Sequence, residues 1–212
     1  IEGIARHPDF DVNAVLRHRV TADVALIKLA APMKVTPALR APAGGAVAVG
    51  DRFVVAGYGV AARGDGKSGG TVRGAQLTST SHPGKLQIRL VDPATDNTRD
   101  GLGACTGDSG GPVLQQQNGR NVVIGVVSWS TGAKSSAGCG GLTGVTPLTL
   151  YRDWILQTAR AWGTVTPRNR APSPYAPGPD LKYLAECSAL AGSASASSSS
   201  AIARAAGCMA RA

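Results

Sequence analysis

The sequence predicts an all-β protein whose antiparallel strands form a sandwich or a barrel. From residue 1 to about residue 162, short β-rich runs alternate with Gly, Pro and Asp, which is the pattern of such folds. We place these runs at residues 24–29, 52–57, 85–90, 111–115, 121–129 and 142–145. One segment of this body, residues 150–162, has helical spacing, with one stripe formed by Tyr151, Trp154, Ile155, Ala159 and Trp162. We expect this helix to close the domain.

The composition indicates a soluble globular chain. Of its 212 residues, 43% are hydrophobic, which is enough to bury a core in one or two units. No apolar run reaches the roughly 18 residues that a membrane span needs, and no signal-peptide pattern is visible. The net charge of +9 comes from scattered basic residues with few aromatic residues between them. This favours a solvated basic surface over nucleic-acid binding.

The composition changes after about residue 162. Residues 163–180 are rich in proline, which removes backbone donors and favours an extended linker. Residues 181–212 form a tail rich in Ala and Ser that contains Cys187 and Cys208. Two interpretations of the tail stay open: a small helical hairpin pinned by a bridge between these cysteines, and a disordered tail held by the same bridge.

The chain has four cysteines, and none of them has the C-x-x-C spacing of a zinc or redox site. An even number of cysteines favours disulfides in an oxidising compartment, so we expect two bridges. Reduced, buried thiols are the alternative.

One glycine-rich stretch, GACTGDSGGPV at residues 103–113, places a serine directly after an acid. A serine hydroxyl is a weak nucleophile, so hydrolysis by serine needs a base, a group that orients the base, and donors for the oxyanion. The glycines permit backbone turns that other residues avoid, so the amides of Gly107 and Ser109 can point at one spot. The stretch therefore predicts a nucleophile, Ser109, beside an oxyanion hole.

This stretch and five others resemble the chymotrypsin/trypsin family of serine proteases. The most specific match is GDSGGPV with Cys105 before it, and ADVALIKL at 22–29 resembles the family segment that carries the triad aspartate. The other matches are HPDF at 7–10, VAGYG at 55–59, VVSWS at 126–130 and YRDWI at 151–155. They follow the order of the family from about residue 4 to residue 162.

The resemblance implies two antiparallel Greek-key barrels of the trypsin-like type, with the first barrel incomplete, and a C-terminal helix. We assign residues 1–162 to this protease domain. Its parts are a remnant of the first barrel at 1–44, the second barrel at 45–150 and the closing helix at 151–162. The Pro-rich linker and the small tail follow it.

The same resemblance implies a serine endopeptidase. Ser109 would attack the peptide carbonyl, Asp23 would hold a catalytic histidine, and the amides of Gly107 and Ser109 would stabilise the oxyanion. The substrate would be a protein or peptide, and neither a metal nor an organic cofactor is implied. Together with the cysteines, the resemblance favours a secreted or extracytoplasmic protein, whereas the sequence does not indicate an oligomeric state.

The specificity pocket implied by the resemblance has Gly103 at its base and carries no charge there. Its walls would be formed by Ser128, Trp129, Ser130 and Gly141. A desolvated substrate cation would lack a partner at this base, so we expect a preference for apolar or aromatic residues. Ser130 stands where the family usually has glycine and is expected to narrow the entrance. The family bridge between the pocket walls matches Cys105 and Cys139.

The catalytic base is not assigned by the resemblance. The family carries its histidine in a TAAHC-like motif upstream of the aspartate, and no such motif precedes Asp23 in this chain. We expect all three histidines to be surface residues: His7 should be extended and exposed beside Pro8, His18 is too close in sequence to Asp23 to serve it, and His82 lies in a turn.

Two hypotheses follow for the missing base. In the first, the chain is the C-terminal part of a longer protease whose upstream segment carries the histidine, so that this chain alone would fold poorly and be inactive. In the second, the chain is an inactive homologue that acts as a binding or regulatory protein. The catalytic identities of Ser109 and Asp23 favour the first. Asp108 resembles the family aspartate that pairs with a new N-terminal amine, but Ile1 leads straight into the HPDF stretch and is not expected to supply that amine.

Overall fold

The computed structural model of the protein describes residues 1–40, 47–80 and 87–163. The predictions made for His82, the linker and the tail therefore lie outside the described residues. A small antiparallel sheet forms near the start from β1 (Gly3–Arg6) and β2 (Ala25–Lys28). Between these strands lies a short helix, α1 (Val12–Leu16), which begins where the Asp11 side chain accepts a hydrogen bond from the Asn13 amide at 2.8 Å.

Seven further strands form a second sheet, and six of them close into a barrel. The strands are β3 (Leu39–Arg40), β4 (Arg52–Gly57), β5 (Arg73–Ser79), β6 (Ile88–Val91), β7 (Pro112–Gln117), β8 (Arg120–Ser130) and β9 (Thr143–Pro147). Around the barrel the order is β8-β7-β4-β5-β6-β9, and β9 pairs back with β8. All neighbours in this ring are antiparallel, whereas β3 joins β8 in parallel. The prediction of an antiparallel all-β protein is confirmed.

The barrel contains a Greek key, because β4, β5 and β6 are successive neighbours and β7 returns to lie beside β4. The return connection between β6 and β7 is long and carries Ser109. The following strand, β8, has 11 residues. A bulge at Ser128 leaves this residue without a partner on β9, since Val127 pairs with Val145 and Trp129 pairs with Gly144. The topology thus brings the Ser109 connection to the bulged end of β8.

Every second side chain of the barrel strands points into the interior, as the pleat of a strand dictates. Five fully buried residues come from five different strands: Phe53, Leu77, Leu90, Val113 and Val145. The strands also approach one another closely, because a Cβ at Gly125 would lie 2.5 Å from the Val145 side chain and 2.6 Å from the Thr146 carbonyl oxygen. The barrel is therefore a tightly packed platform for the loops at its ends.

The C-terminal helix, α2 (Arg152–Ala161), connects the end of the barrel to the small sheet. The ring centroid of His7 lies 5.0 Å from that of Tyr151 and 4.9 Å from that of Trp154. The expectation of an exposed His7 is therefore wrong: its side chain is only 12% exposed, because these two aromatic rings cover it. Within the described residues, neither helix has the length and apolar character needed to span a bilayer.

Within the described residues, five elements were not expected from the sequence: β1, α1, β3, β5 and a short 3-10 helix at Ala133–Ser135. The strand at 52–57 has the predicted bounds, and the predicted helix at 150–162 is shorter at both ends. β5 has the sequence RGAQLTS, whose small and polar residues give no hydrophobic alternation, yet it pairs along the whole of β4. β3 lies in the range assigned to the first barrel but pairs with β8. The domain boundary at residue 44 stays a prediction.

Candidate active site

Ser109 is exposed on a tight turn that is held against β8. The Gly110 amide donates to the Val127 carbonyl at 2.8 Å, and the Val127 amide donates to the Gly111 carbonyl at 2.9 Å. Position 111 needs glycine, because a Cβ would lie 2.5 Å from the Ala56 carbonyl oxygen. The serine is thereby fixed next to a strand of the barrel, with its side chain open to solvent.

Two backbone amides beside Ser109 are available to a ligand. Within residues 1–40, 47–80 and 87–163, the amides of Gly107 and Ser109 donate to no protein acceptor, and both residues are exposed. Gly107 has a φ of +93°, which glycine adopts readily and other residues rarely do. The amide of Asp108, between them, instead turns inward to the Cys105 carbonyl at 3.1 Å. The two free amides are the kind of donors that an oxyanion requires.

The side chain of Asp108 anchors the same turn. Its Oδ1 accepts a hydrogen bond from the Gly59 amide at 2.7 Å, and its Oδ2 accepts one from the Cys105 amide at 2.8 Å. A Cβ at Gly57 or at Gly59 would overlap the carboxylate. Both carboxylate oxygens therefore have backbone donors, whereas Ile1 is 78% exposed.

Asp23 reaches the bulged end of β8 from the first part of the chain. Ala22 and Val24 are buried on either side of it, and the Oδ2 atom of Asp23 accepts a hydrogen bond from the Ser128 hydroxyl at 2.6 Å. Ser128 directly follows Val127, whose backbone holds the Ser109 turn. Two consecutive residues of β8 therefore connect Asp23 with the turn that carries Ser109.

Tyr151 fixes the chain just before Asp23. Its hydroxyl donates to the Thr21 carbonyl at 3.5 Å. Burial raises the pKa of Tyr151 above its usual value, and the nearby charges of Asp9 and Asp23 act in the same direction. The phenol therefore remains a hydrogen-bond donor throughout the neutral pH range.

Neither histidine in the described part of the chain hydrogen-bonds to Ser109 or Asp23. His7 is covered by α2, as described above. His18 is exposed, as expected, and its ring lies on that of Trp129 with the centroids 4.9 Å apart and the planes tilted by 31°. The described residues thus contain an exposed serine, two unbonded backbone amides and the carboxylate of Asp23, and no imidazole hydrogen-bonded to the serine or the carboxylate.

The predicted base of the pocket is closely packed and carries uncharged groups. A Cβ at Gly103 would lie 3.2 Å from the Gly140 Cα atom and 3.4 Å from the Thr143 hydroxyl oxygen. Thr143 is fully buried, and its hydroxyl accepts a hydrogen bond from the Ala104 amide at 3.0 Å. The Gly140 carbonyl accepts another from the Gly101 amide at 2.8 Å. Gly103 thus sits where two loops meet, with a hydroxyl beside it.

The residues predicted to form the walls of the specificity pocket lie in different local environments. The disulfide between Cys105 and Cys139 joins the Ser109 turn to the loop after β8, so the prediction of this bridge is confirmed. A Cβ at Gly141 would overlap the Gly132 carbonyl, so this glycine allows the loop to fold back on itself. Ser130 is half-buried, whereas Ser128 directs its hydroxyl to Asp23.

Gly144 is a residue of this region that sequence reasoning missed. It lies on β9 opposite Trp129, and a Cβ there would overlap the indole ring. Trp129 is only 7% exposed, because this glycine lets its ring lie flat on the barrel wall. A glycine inside a predicted strand was the available signal, since such residues mark a close approach.

β8 presents an open edge next to Ser109. Its pairing with β7 ends at Val126, opposite Pro112, and the backbone of Val127 is taken by the Ser109 turn. From Val127 to Ser130, β8 pairs with β9 on one edge. On the opposite edge, where the pairing with β7 has ended, no described strand pairs with it. An extended peptide can add to such an edge through main-chain hydrogen bonds.

Comparison with known proteins identifies the family. A family model described as Trypsin matches residues 1–155. The chain belongs to the trypsin family. The match includes the small sheet, the whole barrel and the start of α2. Both Asp23 and the Ser109 turn therefore lie within the matched residues.

Two curated relatives cover different shares of this trypsin-family chain. Kallikrein-11 from Homo sapiens is 26% identical over 163 residues, which are 73% of this chain and 55% of that protein. Transmembrane protease serine 9 from Rattus norvegicus is 41% identical over 75 residues, which are 35% of this chain and 7% of that protein. The chain therefore spans about half the length of the first relative and a small part of the second.

Solved structures show the same architecture. A structure of human heparin binding protein has a TM-score of 0.59 and 25% identity, with 82% of this chain and 69% of that chain covered. A mutant of that protein has a TM-score of 0.59 and 24% identity, with 82% and 70% covered. Together with the family match, they confirm the prediction of a trypsin-like fold.

Proposed function

We propose that this chain is part of a serine endopeptidase with Ser109 as its nucleophile. The observation that supports the proposal most directly is the meeting of three groups at the bulged end of β8. These groups are an exposed serine, two free backbone amides beside it, and a carboxylate held by Ser128. Acyl transfer by serine needs all three and a base.

In the proposed reaction, the Ser109 hydroxyl oxygen attacks the carbonyl carbon of the peptide while its proton passes to a histidine. Asp23, whose Oδ2 is engaged by Ser128, would accept the imidazole N–H and leave the other ring nitrogen to take that proton. The amides of Gly107 and Ser109 would donate to the oxyanion. Breakdown of the intermediate releases the amine with the proton and leaves an ester on Ser109, which water then hydrolyses.

We place the base in a segment of the parent protein that precedes Ile1. His7 is covered by α2 and His18 lies on Trp129, so neither is positioned between Ser109 and Asp23. The small sheet also supports this placement, because Ile4 and Ile27 face each other across it and are 67% and 56% exposed. A two-stranded sheet with such an apolar face needs further strands or another element to cover it. This chain alone is therefore expected to be inactive, since triad members act as a unit.

The proposed specificity is for an apolar or aromatic residue before the scissile bond. Gly103 contributes no charge, and its surroundings are the Gly140 backbone and the Thr143 hydroxyl. A substrate cation buried there would lose its water without gaining a partner. The substrate backbone would add to the open edge of β8 at residues 128–130. The disulfide and the family favour action in a secreted or extracytoplasmic setting.

The positions of the histidines favour one alternative, a binding or regulatory protein on a protease scaffold. The similar solved structures are of a heparin binding protein, and the net charge of +9 suits an anionic partner. In this alternative no base ever reaches Ser109, and the free amides serve no reaction.

Labelling with a fluorophosphonate probe separates the two functions. In the full-length activated protein, the probe should modify Ser109, and the Ser109→Ala variant should stay unlabelled. Ser136→Ala, which removes an exposed hydroxyl from the loop after β8, should be labelled like the unchanged protein. An unlabelled protein that cleaves no member of a peptide library would favour the binding function. Strong cleavage after Arg or Lys would instead contradict the uncharged pocket.

A further inference from the structure

We propose that the exposed segment Arg17–His18–Arg19, here called the basic rim, makes the substrate cleft selective for acidic peptides. The selected residue would be an Asp or Glu on the acyl side of the scissile bond, at the position that lies nearest Trp129. This inference rests on the proposed endopeptidase function and names a class of its substrates. It follows from a histidine stacked on Trp129, between two arginines that form no ion pair with any other described residue.

The backbone of the basic rim is held by hydrogen bonds at the C-terminal end of α1. The Arg17 amide donates to the Asn13 and Ala14 carbonyls at 3.3 and 3.2 Å, and the Arg19 amide donates to the Ala14 carbonyl at 2.8 Å. Between them, His18 has a φ of +52°. A left-handed residue of this kind commonly ends a helix, and histidine is among the residues that adopt it more often. The helix end thus reverses the chain at His18 and fixes its direction.

The stack of His18 on Trp129 brings the basic rim to the cleft. The two ring centroids are 4.9 Å apart, with His18 exposed and Trp129 buried beneath it. Trp129 directly follows Ser128, which holds Asp23, and belongs to the open edge of β8. A peptide paired with that edge would therefore run beside the basic rim before it reaches Ser109.

The charges of the basic rim are free to bind a ligand. Arg17 and Arg19 are exposed, and among the described residues neither forms an ion pair. The acids of the same region lie elsewhere: Asp11 caps the opposite end of α1, Asp23 accepts from Ser128, and the Asp9 carboxylate lies 4.0 Å from His7. Arginine binds a carboxylate through two parallel hydrogen bonds, so a Glu or Asp of the substrate suits this rim.

The test compares two peptide substrates that differ only by Glu or Gln at the position nearest Trp129. With the full-length activated protein, kcat/KM for the Glu peptide should exceed that for the Gln peptide by about 3- to 10-fold, the range that two exposed ion pairs provide. The ratio should fall towards 1 in the double variant Arg17→Gln/Arg19→Gln, and with rising salt. Arg120→Gln, which removes an exposed charge at the opposite end of β8, should keep the ratio.

The ratio is taken within each protein, so a loss of folded or active protein cancels from it. Equal cleavage of both peptides by the unchanged protein would overturn the inference and leave the endopeptidase function intact. A preference that survives in the double variant would also overturn it. A protein that binds a sulfated oligosaccharide through the basic rim but does not discriminate between the peptides would assign the rim to polyanions instead. If Ser109 is not labelled and neither peptide is cleaved, the proposed function fails and the inference falls with it.

Discussion

Replacing Asp108 tests how the Ser109 turn is held in place. The carboxylate accepts the Gly59 amide at 2.7 Å and the Cys105 amide at 2.8 Å, and it fills the space between Gly57 and Gly59. Asp108→Ala would leave both amides without this acceptor and would open a gap beside two glycines. Asp108→Asn would keep the shape but would turn an NH2 group towards one of the two amides.

The expected loss of stability follows from these two bonds. A hydrogen bond to a charged group contributes about 1.5–3 kcal/mol, so removing both costs about 3–6 kcal/mol. Asp108 is half-buried, and water can replace part of what is lost, so we expect about 3–4 kcal/mol for Asp108→Ala and about half of that for Asp108→Asn. Since the free energy of unfolding of a domain is only about 5–15 kcal/mol, the alanine variant should remain folded with a small free energy of unfolding.

Urea unfolding of the full-length protein, followed by tryptophan fluorescence, measures this loss as a lower midpoint at an unchanged slope. Asp65→Asn makes the same chemical change on an exposed loop, where the carboxylate accepts the Lys67 amide at 3.2 Å, and should stay within about 0.5 kcal/mol. Probe labelling of Ser109 should also slow in Asp108→Ala, because the turn that holds the two proposed oxyanion amides loses its support. If Asp108→Ala unfolds at the same urea concentration as the unchanged protein, the carboxylate does not hold the turn.

Three further changes test other parts of the site. Gly144→Ala should cost about 1–3 kcal/mol by overpacking, because its Cβ overlaps the Trp129 ring, and should lower the thermal midpoint. Replacing both Cys105 and Cys139 by Ser should cost about 4 kcal/mol, from the chain entropy of a 34-residue loop, measured by urea unfolding. Ser128→Ala removes a hydrogen bond of 2.6 Å from Asp23, the proposed orienting carboxylate, and should lower kcat/KM on a peptide substrate about tenfold.

The glycine and the serine change each have a matched control. Gly66→Ala adds the same methyl group where no atom of the described residues lies within 4 Å, so it should leave the thermal midpoint unchanged. Ser136→Ala removes an exposed hydroxyl outside the site and should leave kcat/KM unchanged. An unaltered midpoint in Gly144→Ala would mean that the strand shifts away from Trp129. Full activity in Ser128→Ala would show that its hydroxyl does not support Asp23.

The elements that could be predicted from the sequence are those with a clear local hydrophobic pattern. β4 and β8 are runs of Val, Ile and Phe, and their approximate positions were predictable for that reason. β5 was not, because Leu77 is its one large apolar side chain, and pairing along β4 is what makes it a strand. α1 is too short for its periodicity to be recognised, although Asp11 gives it a capping signal.

The same holds for the site. Features made of neighbouring residues in the sequence could be predicted, and features that depend on residues far apart in the sequence could not. The Ser109 turn was predictable because its serine, its acid and its glycines are neighbours in the sequence. The burial of His7 was not, because it depends on Tyr151 and Trp154 at the far end of the chain. The stack of His18 on Trp129 likewise needs the reversal at the end of α1 and the bulge in β8.

The bulge in β8 explains how one strand can serve several parts of the site. Consecutive residues of a regular strand point to opposite faces, so they cannot all reach the same cleft. Ser128 is the extra residue of the bulge: its hydroxyl turns to Asp23, while Val127 before it holds the Ser109 turn and Trp129 after it carries His18. A bulge re-aims side chains in this way without breaking the sheet. Because β8 is also paired with β9 across the bulge, the distances among these groups are set by the closed barrel. In the proposed reaction, a base from outside the described residues would therefore occupy a single position between Ser109 and Asp23, whose own positions the barrel already sets.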